Sequence, residues 1–207
     1  MIHSKDTSIA EILKDIDNGN IQLPDFQRGW VWEDNRIRAL IASISNGYPI
    51  GAAMFLDATG DNIHFKNRLF EGVDVSHEST LPKILVLDGQ QRTTSIYRSM
   101  YRKTAVQTMD SKKKPISRYY YLDIPQCLDT LTDRIDAVIS VPDDRIVKEN
   151  IGRDIKLDLS TLEKEYENHC FPLNIVFDTI ATMQWQRKYL KYHGTEEVEN
   201  AWDLEAV

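Results

Sequence analysis

The sequence predicts an α+β protein, a small mixed sheet with flanking helices, and three observations carry that class. Apolar residues recur at helical spacing over Ile9, Ile12, Leu13 and Ile16, and again over Ile37, Leu40, Ile41 and Ile44. Short extended runs stand between and after these stripes. One of them, Ile84-Leu85-Val86-Leu87, is apolar without interruption, as expected of a strand buried on both faces, and it passes through Asp88-Gly89 directly into a helix. The composition agrees: 207 residues, 25 Lys plus Arg against 32 Asp plus Glu, and 42% apolar content. Such a chain can bury a core without staples, and collagen-like, disordered and disulfide-stapled classes are excluded.

Taken in order, Ser8 and Glu11 form a capping box ahead of a short amphipathic helix that stops at Asn18-Gly19. Ile21-Gln22-Leu23-Pro24 is extended, because the proline keeps residue 23 out of helical dihedrals. The loop Asp25-Phe26-Gln27-Arg28-Gly29-Trp30-Val31-Trp32 follows, then a helix over residues 33 to 46 with Gly47 at its C-terminal cap. Ala52-Ala53-Met54-Phe55-Leu56 reads as a strand, with residues 62 to 66 as its hairpin partner across Thr59-Gly60-Asp61. Residues 67 to 82 read as a polar loop. After the strand at 84 to 87, a helix runs from Gln90 to about Lys103, residues 105 to 115 form a solvated connection, and residues 118 to 124 a strand. Beyond Pro125 the signals thin to a strand at 137 to 141, a short charged helix at 160 to 168, a longer one at 179 to 192, and the start of another in the last residues. This divides the chain into a domain at 1–125 and a partly helical extension at 126–207. The uncapped ending points to the N-terminal part of something longer.

No window approaches the roughly 18 consecutive apolar residues of a spanning helix, and the first ten residues lack the apolar stretch of a signal peptide. The expected compartment is the cytoplasm, with no membrane partner. Cys127 and Cys170 lie too far apart for a zinc knuckle or redox pair, and read as buried or incidental thiols. A net charge of −7 argues against a domain that coats DNA non-specifically, but leaves room for a local basic cleft.

The segment richest in chemistry is Leu87-Asp88-Gly89-Gln90-Gln91-Arg92-Thr93, a strand turning through glycine into a helix. Helix starts expose unpaired N–H groups that suit an anion, Gly89 would permit close approach of a ligand, and Arg92 would add a bidentate fork to a phosphate. Asp88 would accept a hydroxyl proton or hold magnesium. The plainer alternative makes Asp88 a helix cap and Arg92 half of a surface ion pair. Gln27 and Arg28 present a carboxamide and a guanidinium from a loop between strand and helix. Trp30 and Trp32 suit either stacking on a base or core packing, while Arg36 and Arg38 read as solvated.

Three phrases, Leu-Pro-Asp-Phe-Gln-Arg-Gly-Trp-Val-Trp at 23–32, Leu40-Ile41-x-Ser43-Ile44-x-x-Gly47-Tyr48-Pro49-Ile50-Gly51, and Val86-Leu87-Asp88-Gly89-Gln90-Gln91-Arg92, stand together in one order and spacing. Over about residues 8 to 124 the chain resembles the ParB-like N-terminal domain of GmrSD-type, modification-dependent restriction and phage-defence proteins. Residues 126–207, with Phe171-Pro172-Leu173, resemble the extension that follows it. The resemblance implies a ParB/sulfiredoxin-like fold, binding and hydrolysis of a nucleoside triphosphate with Mg2+, and control of an HNH nuclease domain elsewhere. Carried over by position, Asp88, Gln91 and Arg92 are the catalytic candidates, with Asp88 the metal ligand. Gln27, Arg28, Gly89, Gln90 and Thr93 are the nucleotide-binding candidates. No HNH pattern occurs here; His169 and His193 lie outside one. The function expected is a nucleotide-binding regulatory domain with weak hydrolysis, the alternatives being a modified-DNA-binding module and an assembly-only domain.

Overall fold

A computed structural model describes residues 7–60 and 65–194 of the chain. Its strands and α-helices in chain order are α1 (Ile9–Asp17), β1 (Ile21–Pro24), α2 (Asp34–Ser45), β2 (Met54–Asp57), β3 (Asn67–Arg68), β4 (Ile84–Asp88), α3 (Gln90–Ile96), β5 (Val106–Met109), β6 (Pro115–Asp123), α4 (Ile124–Leu128), α5 (Arg134–Ala137), β7 (Val138–Val141), β8 (Ile146–Glu149), β9 (Asp154–Asp158), α6 (Leu162–Glu167), β10 (Cys170–Pro172) and α7 (Thr179–His193). The class is α+β. No helix among the described residues is long and apolar enough to cross a membrane. The chain divides into two compact units, Met1–Val31 with Gly51–Tyr97, and Trp32–Ile50 with Arg98–Val207.

The first unit is built on a four-stranded sheet in the order β2-β4-β1-β3. Its two inner strands, β1 and β4, are parallel, with Ile21 opposite Ile84 and Gln22 opposite Leu85; β2 and β3 join antiparallel at the edges. The apolar run of β4 is explained by this inner position, with Leu85 and Val86 buried. The capping box of α1 is present: Glu11 N–H donates to Ser8 Oγ at 3.2 Å and Ser8 N–H to Glu11 Oε2 at 3.4 Å. Leu13 and Ile16 take its buried face, and Tyr97 OH fastens the helix end by donating to Asp17 Oδ1 at 2.6 Å. Gln22 is buried because its polar atoms are all met. Its Nε2 donates to Gly19 O and Thr80 O, and Asn67 Nδ2 donates to its Oε1.

β2 pairs with β4, and most of its expected hairpin partner (62 to 66) lies outside the described residues. Two expectations change here. The expected polar loop at 67 to 82 contains β3 and buries Phe70 and Val73. The helix begun at Gln90 widens into a π turn at Tyr97–Tyr101.

In the second unit the nine-residue β6 is the shared strand. It pairs antiparallel with β5 over its first half, with β7 over its second, and with β10 through residues 121 to 123. The expected solvated connection at 105 to 115 is therefore partly a strand, with Val106 and Thr108 buried and Gln107 between them exposed. Arg38, expected to be solvated, instead donates from Nε to Val138 O and from Nη2 to Ile135 O, both at 2.9 Å, tying α2 to β7 and α5. The strands β8 and β9, which form a two-stranded ladder, went unread.

An aromatic cluster of Tyr166, Trp185 and Tyr189 closes this unit's core together with Ile124. Glu165, 1% exposed, sits beneath it. Tyr121 OH donates to its Oε1 and Trp185 Nε1–H to its Oε2, while Arg145 Nη1 lies 3.6 Å away. Burial outweighs these partners and holds the Glu165 carboxyl above its ordinary range. Burial also pushes the Cys170 thiol up to about 12, in keeping with an unreactive core residue. The expected helix in the last residues (195 onward) lies outside the described residues.

Candidate functional site

Because β1 and β4 are adjacent and parallel, the loop after β1 and the turn after β4 leave the sheet at the same end. Carboxyl ends of parallel strands are where open α/β sheets commonly seat ligands. Gln27, Arg28 and the run from Asp88 to Thr93 meet at this end, despite about sixty intervening residues.

The contact between them is a lattice of side-chain bonds to main chain. Gln27 Nε2 donates to Val86 O at 2.8 Å and Leu87 O at 2.9 Å, so its carboxamide clasps the end of β4. Gln90 is buried and donates from Nε2 to Arg28 O at 2.8 Å; Arg68 Nη2 donates to the same carbonyl at 3.2 Å. Gln91 uses both amide atoms, donating to Gly29 O and accepting from Val31 N–H, each at 3.1 Å. Trp30 donates from Nε1 to Ser95 Oγ and from its main chain to Glu71 Oε1, both at 2.9 Å. Thr93 Oγ1 donates back to Gly89 O. Gln27, Gln90 and Thr93, expected as nucleotide contacts, and Gln91, a catalytic candidate, are thus engaged here as braces. Trp30, a candidate stacking ledge, is anchored through its indole N–H.

The functional groups that the braced frame leaves outward are those of Arg28, Asp88 and Arg92. Arg28 is exposed, and its guanidinium meets no partner among the described residues. Asp88 is exposed at the end of β4, and its carboxylate makes no hydrogen bond or ion pair to a described residue. The cap reading of Asp88 does not hold, since Gly89, at φ +88°, is the N-cap of α3 and no side chain caps it. The close approach that Gly89 permits is made by Ala53. A Cβ on Gly89 would lie 3.0 Å from Ala53 Cβ and 3.4 Å from Arg92 Nη2. Arg92 is half-buried, donates from Nη2 to Ala52 O at 2.5 Å, and lies over Gly51, whose φ of +92° and missing Cβ leave it room. The surface-ion-pair reading of Arg92 also fails, because its partner is a neutral carbonyl.

Among the described residues no group of three or more His, Cys, Asp or Glu side chains can hold a metal. Asp88 is a single carboxylate. It fits magnesium only in the manner of nucleotide sites, where one or two carboxylates share the ion with phosphate oxygens and water.

The exposed aromatic ring of the loop is Phe26, 69% exposed, which meets Phe65 edge to face at 5.7 Å; sequence reasoning passed over it in favour of the tryptophans. Its alternation with buried neighbours was no guide, as every residue of β1 before it is buried. In the second unit, Trp32 and Arg36 line a shallow groove with Leu40, Ser43, Pro49 and Ile50.

The chain is 30% identical over 203 residues to an uncharacterized protein of Methanocaldococcus jannaschii, a match covering 95% of this chain and 33% of that protein. It therefore spans about a third of that relative's length. Residues 9–199, both units included, match the family described as GmrSD restriction endonuclease, N-terminal domain. With the match running through the braced loop, the 88–92 turn and the second unit alike, the chain belongs to the GmrSD N-terminal domain family.

Proposed function

We propose that this chain is the nucleotide-binding regulatory domain of a DNA-restriction or phage-defence protein, and that the phosphates of a nucleoside triphosphate sit against Arg28 and Arg92. One observation carries this reading. Two guanidinium groups and one unpartnered carboxylate emerge at the shared end of β1 and β4, from a loop and a turn that seven side-chain bonds hold in place. A frame locked in this way loses little entropy when it binds an anion, and its two cations create a local positive field in an acidic protein. Each arginine reaches about 6–7 Å from its Cα, and the reading requires both to meet one phosphate chain.

Arg92 and Arg28 bind and orient phosphate oxygens. Asp88 stands beside them to hold magnesium jointly with those oxygens or to accept a proton from an attacking water; a bound magnesium ion would supply charge neutralisation at the phosphates. Gln27, Gln90, Gln91 and Thr93 keep the frame. Turnover is expected to be slow, as Asp88 is a single carboxylate and Glu71, near the same loop, is engaged by Trp30 N–H and Arg68. Family membership supports a restriction setting, and the partner we infer is an HNH nuclease domain, carried elsewhere in the protein or on a separate chain. A cytoplasmic setting fits this role.

The second reading, a module that binds modified DNA without hydrolysis, is favoured by Phe26, an exposed ring beside Arg28 that can stack on a base. Thermal unfolding with magnesium and ATP or GTP separates the two. A ligand-dependent rise in Tm with nucleotide supports the first reading. No rise, combined with salt-sensitive binding of modified but not plain DNA, supports the second.

A further inference from the structure

The chain passes between its two units three times, at Val31/Trp32, Ile50/Gly51 and Tyr97/Arg98. On the first unit's side, all three passages are held by residues 89–92 or by the helix they start. At the first passage, Gln91 Oε1 accepts from Val31 N–H and Gln91 Nε2 donates to Gly29 O. At the second, Arg92 Nη2 donates to Ala52 O, and the guanidinium lies against Gly51, where an added Cβ would come within 3.4 Å of Cζ. The third is the helix itself, which begins after Gly89 and reaches Tyr97 where it widens into the π turn. Two neighbouring residues therefore grip two passages and stand at the head of the third.

We propose that Gln91 and Arg92 couple occupancy of the phosphate site to the second unit: Arg92 holds the passage at Gly51-Ala52 while no anion is bound, and a phosphate chain that takes its guanidinium releases that passage. The proposal rests on the phosphate-binding reading above. Its physical basis is the difference between acceptors. Phosphate is an anionic acceptor that takes an arginine fork through two parallel bonds, whereas Ala52 O takes one bond from the same cation, so a phosphate that engages the Nη2 edge displaces Ala52 O. That difference in affinity is what shifts the passage between its held and released states. Gln91 stays bonded to the 29–31 loop in both states and keeps the first passage fixed.

The test is hydrogen–deuterium exchange on the full chain with magnesium tripolyphosphate, which carries the phosphate chemistry without a base. The expected result has three parts: protection of residues 89–93, faster exchange at 51–57, and changed exchange in the second unit at 46–50 or 98–102. Protection at 89–93 with 51–57 unchanged would overturn the coupling and leave the phosphate site standing. No protection at 89–93 would overturn both. Arg92→Ala supplies an independent arm, since it removes the bond that holds Ala52 O. Without the probe it should already exchange faster than the parent chain at 51–57, and an exchange pattern identical to the parent's would count against the coupling.

Discussion

Arg92 offers five guanidinium donors, of which the described residues engage one, through Ala52 O. Replacing it by Ala removes a charge-assisted contact worth on the order of 1.5–3 kcal/mol, so triphosphate affinity should fall at least about tenfold while the fold persists. Titration calorimetry on the folded variant checks this. Asp88 has no capping duty, so Asp88→Asn should keep the turn and the binding but lose turnover with magnesium; a phosphate-release assay with unchanged rates would remove Asp88 from the chemistry.

Glu165 makes a separate prediction. Its carboxyl is raised by burial, so the folded state holds a proton over a range where the unfolded chain has released it. Stability from this group is full below the ordinary carboxylate pKa and declines as pH rises through the raised folded value. Glu165→Gln removes that titration. Its unfolding free energy relative to the parent chain should move in the variant's favour between about pH 4 and pH 7, near and above the ordinary Glu value of about 4.3. A pH-independent difference would show that burial does not govern this carboxyl.

At the scale of elements, the loop at 25–31 and the turn at 88–92 behave as one body. Gln27 looked like a ligand contact from its type and position, yet its donors close on the carbonyls of Val86 and Leu87. Gln27→Ala should therefore lower stability in urea by about 1–2 kcal/mol, while weakening triphosphate binding less than Arg92→Ala does. Equal losses of affinity from the two variants would return Gln27 to the ligand. The sequence marked where these elements lie, because their signals are local: the capping box at Ser8 and Glu11, the stripe of α2, the glycine after β4. It could not show which carbonyl a carboxamide meets sixty residues away. Nor could it reveal β5, β8 and β9, runs of four or five residues rich in charged or polar side chains that read as solvated chain until a partner strand supplies the register. Arg38 misled for a related reason. Its side chain is polar, but its guanidinium meets the carbonyls of Ile135 and Val138 a hundred residues on.

For the molecule as a whole, the net charge of −7 and the cationic pair Arg28 and Arg92 are compatible because the field that attracts an anion is local. The family assignment was legible in three phrases, and the match over residues 9–199 extends it through both units. Titration calorimetry of the full chain with ATP and with GTP, magnesium present, performed in parallel on Arg92→Ala, is the most direct test of the phosphate site. Saturable binding of one nucleotide by the parent chain, at least about tenfold weaker in the variant, is the result expected from a charge-assisted arginine contact. Equal affinities in two folded proteins, or no heat with either nucleotide, would contradict the assignment of phosphate binding to the shared end of β1 and β4.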